Sequence, residues 1–398
     1  MRTAVRSKRI YAEDGLKDGW LIYENGTITG IADKLDSCGQ VLDHSDKRII
    51  PGLFDTHNHG VFGYLLRCGQ EGETTPTIRG FLKGTASFGI SNIFPTCTYD
   101  MISSVRRMMD RENDGSKIVG IHVEGPWLNR VGERGIPVPW PEVSVKTAEK
   151  MVADGGSKLM LVAASPEIDG IVPVLEYFIS NGVMLAFAHS DLKYKEASSA
   201  IEKYYSVATH LGNAMTGMHH RDIGALGACL LDDSMDYEVI CDGVHICFEM
   251  LKIYFRVQDY SRFMVISDNS GMAGLPPGGY AGWQPDQIYI VEPDGRIHTE
   301  TGRISGSSKS ILQGVRNLVE VLGIPIETAL RMASLQPCKK YGLDRTKGSL
   351  KAGKCADFVV IDDDYSVLET YSEGRKVYDS SVDIDLVNHE FVKTSKRQ

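Results

Sequence analysis

Between residues 48 and 271 the chain runs apolar eight times, and each run breaks into polar residues or glycine. The segments are RIIPGLFDTHNHG, SNIFPTCT, KIVGIHVEGPWL, KLMLVAASPE, VMLAFAHSDL, YSVATHLGN, YEVICDGVHI and FMVISDNSG. Between most of them lie stretches of helical type, such as TIRGFLKGTASFG, MISSVRRMMDRE and FEMLKIYFRVQDY. Near-continuous apolar strands separated by helices signify parallel strands buried on both faces. Eight such units predict an α/β fold of the (β/α)₈ TIM-barrel type, whose chemistry sits at the C-terminal ends of the strands.

The two ends of the chain have a different texture. Residues 1–50 contain DGWLIYENGTITGI, with a Glu-Asn-Gly turn between β-type runs, and residues 345–398 contain GSLKAGKCADFVVIDDDYSVLETYSEGRKVYDS. Both read as antiparallel hairpins. Chain termini often lie close together, so the two ends are expected to pair into one small, discontinuous β-sandwich domain beside a barrel spanning residues 51–344. The PPGG stretch at 276–279 reads as a loop, and the final KTSKRQ as a solvated tail.

A chain of 398 residues, 42% of them hydrophobic, can bury a large core. Its net charge of −9, with no basic block, argues against nucleic-acid and membrane-surface partners. An anionic substrate would need local cations. The opening MRTAVRSKRIYAEDG has charges but no apolar stretch, so no secretory leader is expected. Eight scattered cysteines without a Cys-x-x-Cys pair read as reduced, mostly buried thiols of a cytoplasmic protein.

What closes each barrel strand carries the chemistry. The first run ends in Asp55, His57 and His59, the third in Glu124, the fifth in His189 and the sixth in His210. Asp242 and His245 end the seventh, and Asp268 ends the eighth. Residues i and i+2 of a strand share a face, so His57 and His59 can both point inward. A single His-x-His is a weak signal, and a lone strand-end histidine is more often a satisfied core residue. Four histidines, one glutamate and one aspartate at the ends of five strands are a different matter: imidazole and carboxylate together suit Zn²⁺ and similar ions. His122, two residues before Glu124, reads as packing behind the site. His219 and His220 read as exposed loop residues.

In order along the chain, His57-x-His59 after Pro-Gly, HVEGPWL, AHSD, THLGNAM, CDGVH, ISDNSG and ISGSS resemble the motifs of the N-acetylglucosamine-6-phosphate deacetylase family of the amidohydrolase superfamily. The resemblance runs from about residue 20 to 365, whereas KGSLKAGKCADFVVID is shared by amidohydrolases more widely. It implies hydrolysis of N-acetylglucosamine-6-phosphate to glucosamine-6-phosphate and acetate by a homodimer. One or two divalent cations per subunit would assist, zinc first, with iron, manganese or cobalt as alternatives. Glu124 would bridge or anchor the metal, His189 and His210 would complete one position, and His57 and His59 would form a second. Asp268 would be the catalytic acid/base. Asn213, Ala214, Arg221 and His245 fall where the family grips the sugar phosphate, Arg221 often coming from the partner subunit. Ile304, Ser305 and Gly306 fall on a substrate-lining turn. His245 also reads as a structural histidine behind the site.

The match has gaps. After Glu-Gly-Pro the family carries a Lys-Gly-Ala-His type stretch whose histidine contacts substrate near the acetamide. Here the equivalent is GERGIPVPW, with Gly135, Ile136 and Pro137 and no histidine, and Arg134 is a candidate replacement donor. Ser305 stands where the family prefers alanine. These departures bear on the sugar, not on the hydrolysis. A related enzyme acting on N-acetylgalactosamine-6-phosphate or another N-acyl amine, and a non-catalytic sugar-phosphate sensor, are the alternatives. A cyclic-amide hydrolase of dihydroorotase type commonly bridges two metals with a carboxylated lysine on the fourth strand. KLMLVAASPE has no lysine at its C-terminal end.

Overall fold

A computed structural model describes residues 2–35, 37–66, 74–111, 114–129, 140–282 and 287–397. The eight apolar runs all contain strands. They are β1 (Leu53–Asn58), β2 (Ile90–Cys97), β3 (Ile121–Glu124), β4 (Leu159–Ala164), β5 (Met184–Phe187), β6 (Val207–Ala208), β7 (Asp236–Ile240) and β8 (Phe263–Ile266). Each pairs in parallel with the next. The ring closes between β8 and β1 just past the end of β8. There the Asp268 amide donates to the His57 carbonyl and the His59 amide to the Asn269 carbonyl, both at 2.9 Å.

Period-2 alternation divides six of the eight strands between two cores. Phe54, Phe94, Leu161, Ala186, Val207 and Met264 plug the barrel interior, where the Phe54 and Phe94 rings meet edge-on at 5.0 Å. Their neighbours Leu53, Ile93, Val162, Leu185, Ala208 and Val265 face outward into the layer formed with the helices. Every residue of β2 is buried, as a strand covered on both faces requires. The three helical stretches read from sequence become helices Thr75–Ala86, Ile102–Met109 and Phe248–Val257.

The chain ends meet in an eight-stranded sheet. Arg48–Pro51 joins the halves by pairing antiparallel with Phe358–Ile361, Ile49 opposite Val360. The expected tight turn lies at Asn25 and Gly26, both with positive φ (49° and 79°), between paired Glu24 and Thr27. Tyr23, Phe358 and Tyr371 pack the core of this unit, the last two stacked at 4.1 Å.

Two expectations need correction. Gly278 and Gly279 of PPGG belong to strand Gly278–Ala281 of a further four-stranded sheet, not to a loop. The C-terminal residues are not a free tail. Helix His389–Ser395 leads into strand Lys396–Arg397, which pairs with Gly279 and Tyr280. An unpaired strand edge presents open backbone donors and acceptors, and the chain's own terminus satisfies them here. Those last residues therefore lie against the region after β8 rather than in the sheet of the two ends.

Candidate active site

Three of the chemical side chains stand on residues whose backbone turns sharply as the strand ends. His189, His210 and Asp268 have φ of 49°, 31° and 49°. Left-handed backbone is uncommon outside glycine and costs of order 1–3 kcal/mol per residue. On β1 the pairing register shifts between Asp55 and Asn58, which breaks strict alternation where His57 needs to turn inward.

The result is one cluster at the barrel mouth. Glu124 Oε1 lies 3.0 Å from His189 Nε2 and 2.9 Å from His210 Nε2, and those two nitrogens are 3.1 Å apart. Its other oxygen, Oε2, lies 3.2 Å from His59 Nε2, and His57 Nε2 is 3.1 Å from His59 Nε2. Asp268 Oδ1 stands 3.4 Å from His59 and 3.5 Å from His57. Two groups of three potential metal ligands thus share one carboxylate: His57, His59 and Glu124, and Glu124, His189 and His210.

These groups suit divalent cations. Ligand atoms about 2.0–2.1 Å from a tetrahedral ion lie about 3.3 Å from one another, close to the spacings here. Two imidazole nitrogens facing each other at about 3 Å can share only one proton, and the cluster contains two such pairs.

The electrostatics point the same way. Burial alone would lower the pKa of His57, but the carboxylates of Glu124 and Asp268 outweigh it and raise it well above the ordinary value. His59 behaves alike: burial is opposed by its contacts with Asp268 and Glu124, which carry it to about 9. Conversely, burial would raise Glu124 and Asp268, yet the imidazoles around them hold both well below the usual carboxylate range. The pocket stabilises positive charge at its centre.

Support comes from below. Asp55 is fully buried. It accepts from Ser267 Oγ at 2.6 Å and Asn58 Nδ2 at 3.1 Å, tying β1 to β8; burial pushes its carboxyl up to about 6 against these bonds. His122 packs under the site, its ring 4.6 Å from that of His57 and its Nδ1 3.0 Å from Thr96 Oγ1. Burial and then His57 push its pKa well down, and it belongs to neither ligand group, in keeping with the packing role expected of it.

The expected substrate contacts divide. Gly306 (φ 71°) lies against the Asp268 carbonyl, which also accepts from the Ser307 amide at 2.9 Å, so the turn of Ile304, Ser305 and Gly306 runs beside Asp268. Asn213 folds back on the His210 carbonyl, and Ala214 takes φ of 51°. His245 Nδ1 lies 2.8 Å from Asp242 Oδ2, and Ser307 Oγ donates to the same oxygen at 2.9 Å. Burial would lower the His245 pKa, but Asp242 outweighs it and raises the pKa above the ordinary imidazole value. Arg221 is exposed with His219 and His220. It lines a surface groove with Lys193, Lys195 and His220, and none of the five imidazole and carboxylate groups of the two ligand sets lines that groove. Arg134, Gly135, Ile136 and Pro137 lie outside the described residues.

Sequence reading passed over Glu238, which sits in mid-strand on β7, fully buried, with Oε2 3.2 Å from His57 Nδ1. An acidic residue inside the apolar run YEVICDG was the available signal, because a buried charge requires a partner.

Comparison with known proteins finds relatives that match almost the whole chain. The sequence profile of the amidohydrolase family matches residues 48–377. The chain is 30% identical over 372 residues to the N-acetylglucosamine-6-phosphate deacetylase of Vibrio furnissii, covering 90% of each chain. It is 27% identical over 385 residues to the N-acetylgalactosamine-6-phosphate deacetylase of Escherichia coli O157:H7, covering 94% of this chain and 99% of that one. The crystal structure of N-acetylglucosamine-6-phosphate deacetylase from Thermotoga maritima superposes with a TM-score of 0.76 at 26% identity, over 96% of this chain and all of that one.

Proposed function

The chain belongs to the amidohydrolase family, and from that premise we propose that it removes the acetyl group from an amino-sugar 6-phosphate. N-acetylglucosamine-6-phosphate is the first candidate, yielding glucosamine-6-phosphate and acetate. The observation that carries the reading is Glu124 shared between two histidine pairs, with Asp268 at 3.4–3.5 Å from one of them.

His57, His59 and Glu124 would hold one divalent cation, and Glu124, His189 and His210 another, with zinc the first choice for its fit to nitrogen and carboxylate ligands. A bound cation supplies Lewis acidity, drawing charge from the acyl oxygen and bringing the pKa of water to about 7. Asp268 Oδ1, held ionised by the imidazoles around it, takes the proton of the attacking water. It then returns that proton to the departing nitrogen, since an amine leaves poorly unless protonated. His245, its ring fixed by Asp242 at 2.8 Å, donates to an oxygen of the substrate. The turn of Ile304, Ser305 and Gly306 and the residues Asn213 and Ala214 line the sugar. Arg221 binds the phosphate, and its place on an outer groove favours a homodimer in which it serves the neighbouring subunit.

Among the described residues no helix is long and apolar enough to cross a membrane. Seven cysteines there are free thiols, which suits the reducing cytoplasm. N-acetylgalactosamine-6-phosphate is the second candidate, on the strength of the E. coli relative.

The test is to incubate metal-loaded protein with each sugar phosphate and with unphosphorylated N-acetylglucosamine, measuring acetate and free amine. Turnover of one phosphate, its loss on chelation and its return with a divalent ion are expected. Arg221→Ala should raise KM for the phosphorylated sugar alone. Absence of acetate from both phosphates refutes the reading.

A further inference from the structure

Glu238 occupies an expensive position. Its side chain is wholly buried on β7, and among the described residues its only ion pair is with His57. Taking a carboxylate out of water costs several kcal/mol unless hydrogen bonds compensate. An apolar residue would fill this level of the barrel at no such cost, as Met264 does on the neighbouring strand.

Both carboxyl oxygens are engaged, and both partners lie on β1. Thr56 Oγ1 donates to Oε1 at 2.7 Å, and Oε2 lies 3.2 Å from His57 Nδ1. Thr56 fixes the plane of the carboxyl group and so aims Oε2 at the imidazole. A neutral imidazole carries a single ring proton. If Nδ1–H donates to Oε2, the lone pair is on Nε2, which faces His59 at 3.1 Å and Asp268 at 3.5 Å in the mouth. The other ligand group lacks this backing in at least one member, because His210 Nδ1 is buried without a hydrogen-bond partner.

We propose that Glu238 is a positioning residue for the cation held by His57, His59 and Glu124, acting from inside the barrel beneath the mouth by fixing the tautomer and orientation of His57. The proposal rests on the reading of the mouth as a metal centre. It assigns the two cation positions different supports: one is backed by a buried carboxyl group two strands away in the ring, the other depends on Glu124 and two strand-end histidines.

The experiment is a titration of metal-free protein with Co²⁺, read by its visible absorption, which needs no substrate. Wild type should take up two ions per chain. Glu238→Gln should bind one with wild-type affinity and the other about 10–100-fold more weakly, the usual effect of removing a carboxylate behind a metal-bound histidine. His57→Gln should affect the same ion, and the double variant should be no weaker than His57→Gln, because Glu238 acts only through that ring. Two ions bound at wild-type affinity by Glu238→Gln, or additive losses in the double variant, would overturn the proposal while leaving the metal centre standing. Wild type that binds no ion would overturn both. Should Glu238→Gln fail to fold, ¹⁵N NMR of the zinc-loaded wild type, in which the cation keeps the His57 ring from carrying both protons, decides: a proton on Nδ1 of His57 supports the proposal, and a proton on Nε2 refutes it.

Discussion

Gly60 follows His59 directly, and its missing side chain is what lets the mouth close. A Cβ built there would lie 2.4 Å from the Tyr64 carbonyl oxygen, 2.8 Å from the Gly271 nitrogen and 2.9 Å from the Gly271 Cα. All three are backbone atoms. Ordinary contact begins near 3.4 Å, so Gly60→Ala requires about 1 Å of relative movement that no side-chain rotation can supply. Overpacking of this kind costs about 1–3 kcal/mol, while alanine restricts the unfolded chain and returns about 0.4–1 kcal/mol. The net loss is about 0–2.6 kcal/mol, which should lower Tm by up to about 3 degrees in a chain of 398 residues. The effect on the site should be larger than the effect on the fold. A ligand must sit within about 0.5 Å of its productive position, and His59 is bonded to the residue that moves. Cation binding at His57, His59 and Glu124 should weaken, and binding at Glu124, His189 and His210 should not. Gly30→Ala is the control, because a Cβ there meets nothing within 4 Å. Melting curves and metal titrations of the two variants provide the measurement. If Gly60→Ala keeps wild-type Tm and both affinities, the steric reasoning is refuted.

Asp268→Asn should cut kcat by about 10²–10⁴-fold with KM nearly unchanged and cation content retained, as steady-state kinetics and elemental analysis will show. Deleting residues 388–398 removes the bonds from the Asn388 amide and side chain to the Phe62 and Gly63 carbonyls and the pairing of Lys396 with Tyr280. Hydrogen exchange should then accelerate in residues 60–65 and in strand Gly278–Ala281, and remain slow in β2. Glu13 gives a pH prediction. Burial would raise its pKa, but hydrogen bonds from Ser349, Lys351 and Lys354 hold it at about 2, against about 4.5 unfolded. Between those values the unfolded chain binds the extra proton. The stability Glu13 contributes is therefore complete above pH 4.5 and is lost as pH falls towards 2. Glu13→Gln should be less stable than wild type at pH 7, and the gap in denaturant midpoints should narrow by pH 3.

The barrel was legible in the chain because its signal is local. A strand buried on both faces must be apolar along its length, and eight such runs between helices leave few architectures. The same holds for the turn at Asn25 and Gly26, whose positive φ those residue types accommodate. Once the fold is granted, the positions of His57, His59, Glu124, His189, His210 and Asp268 follow, since strand ends of a barrel share one mouth. Pairing between distant partners was not legible. That Glu238 lies beneath His57, 181 residues away in sequence, depends on strand stagger and on the register shift in β1. An acid in an apolar run says only that it has some partner, and the same limit hid which strand edge the C-terminal residues would cover. Local periodicity reads which face a side chain takes; which atoms it meets there is set by how the whole ring closes, and that only the tertiary structure decides.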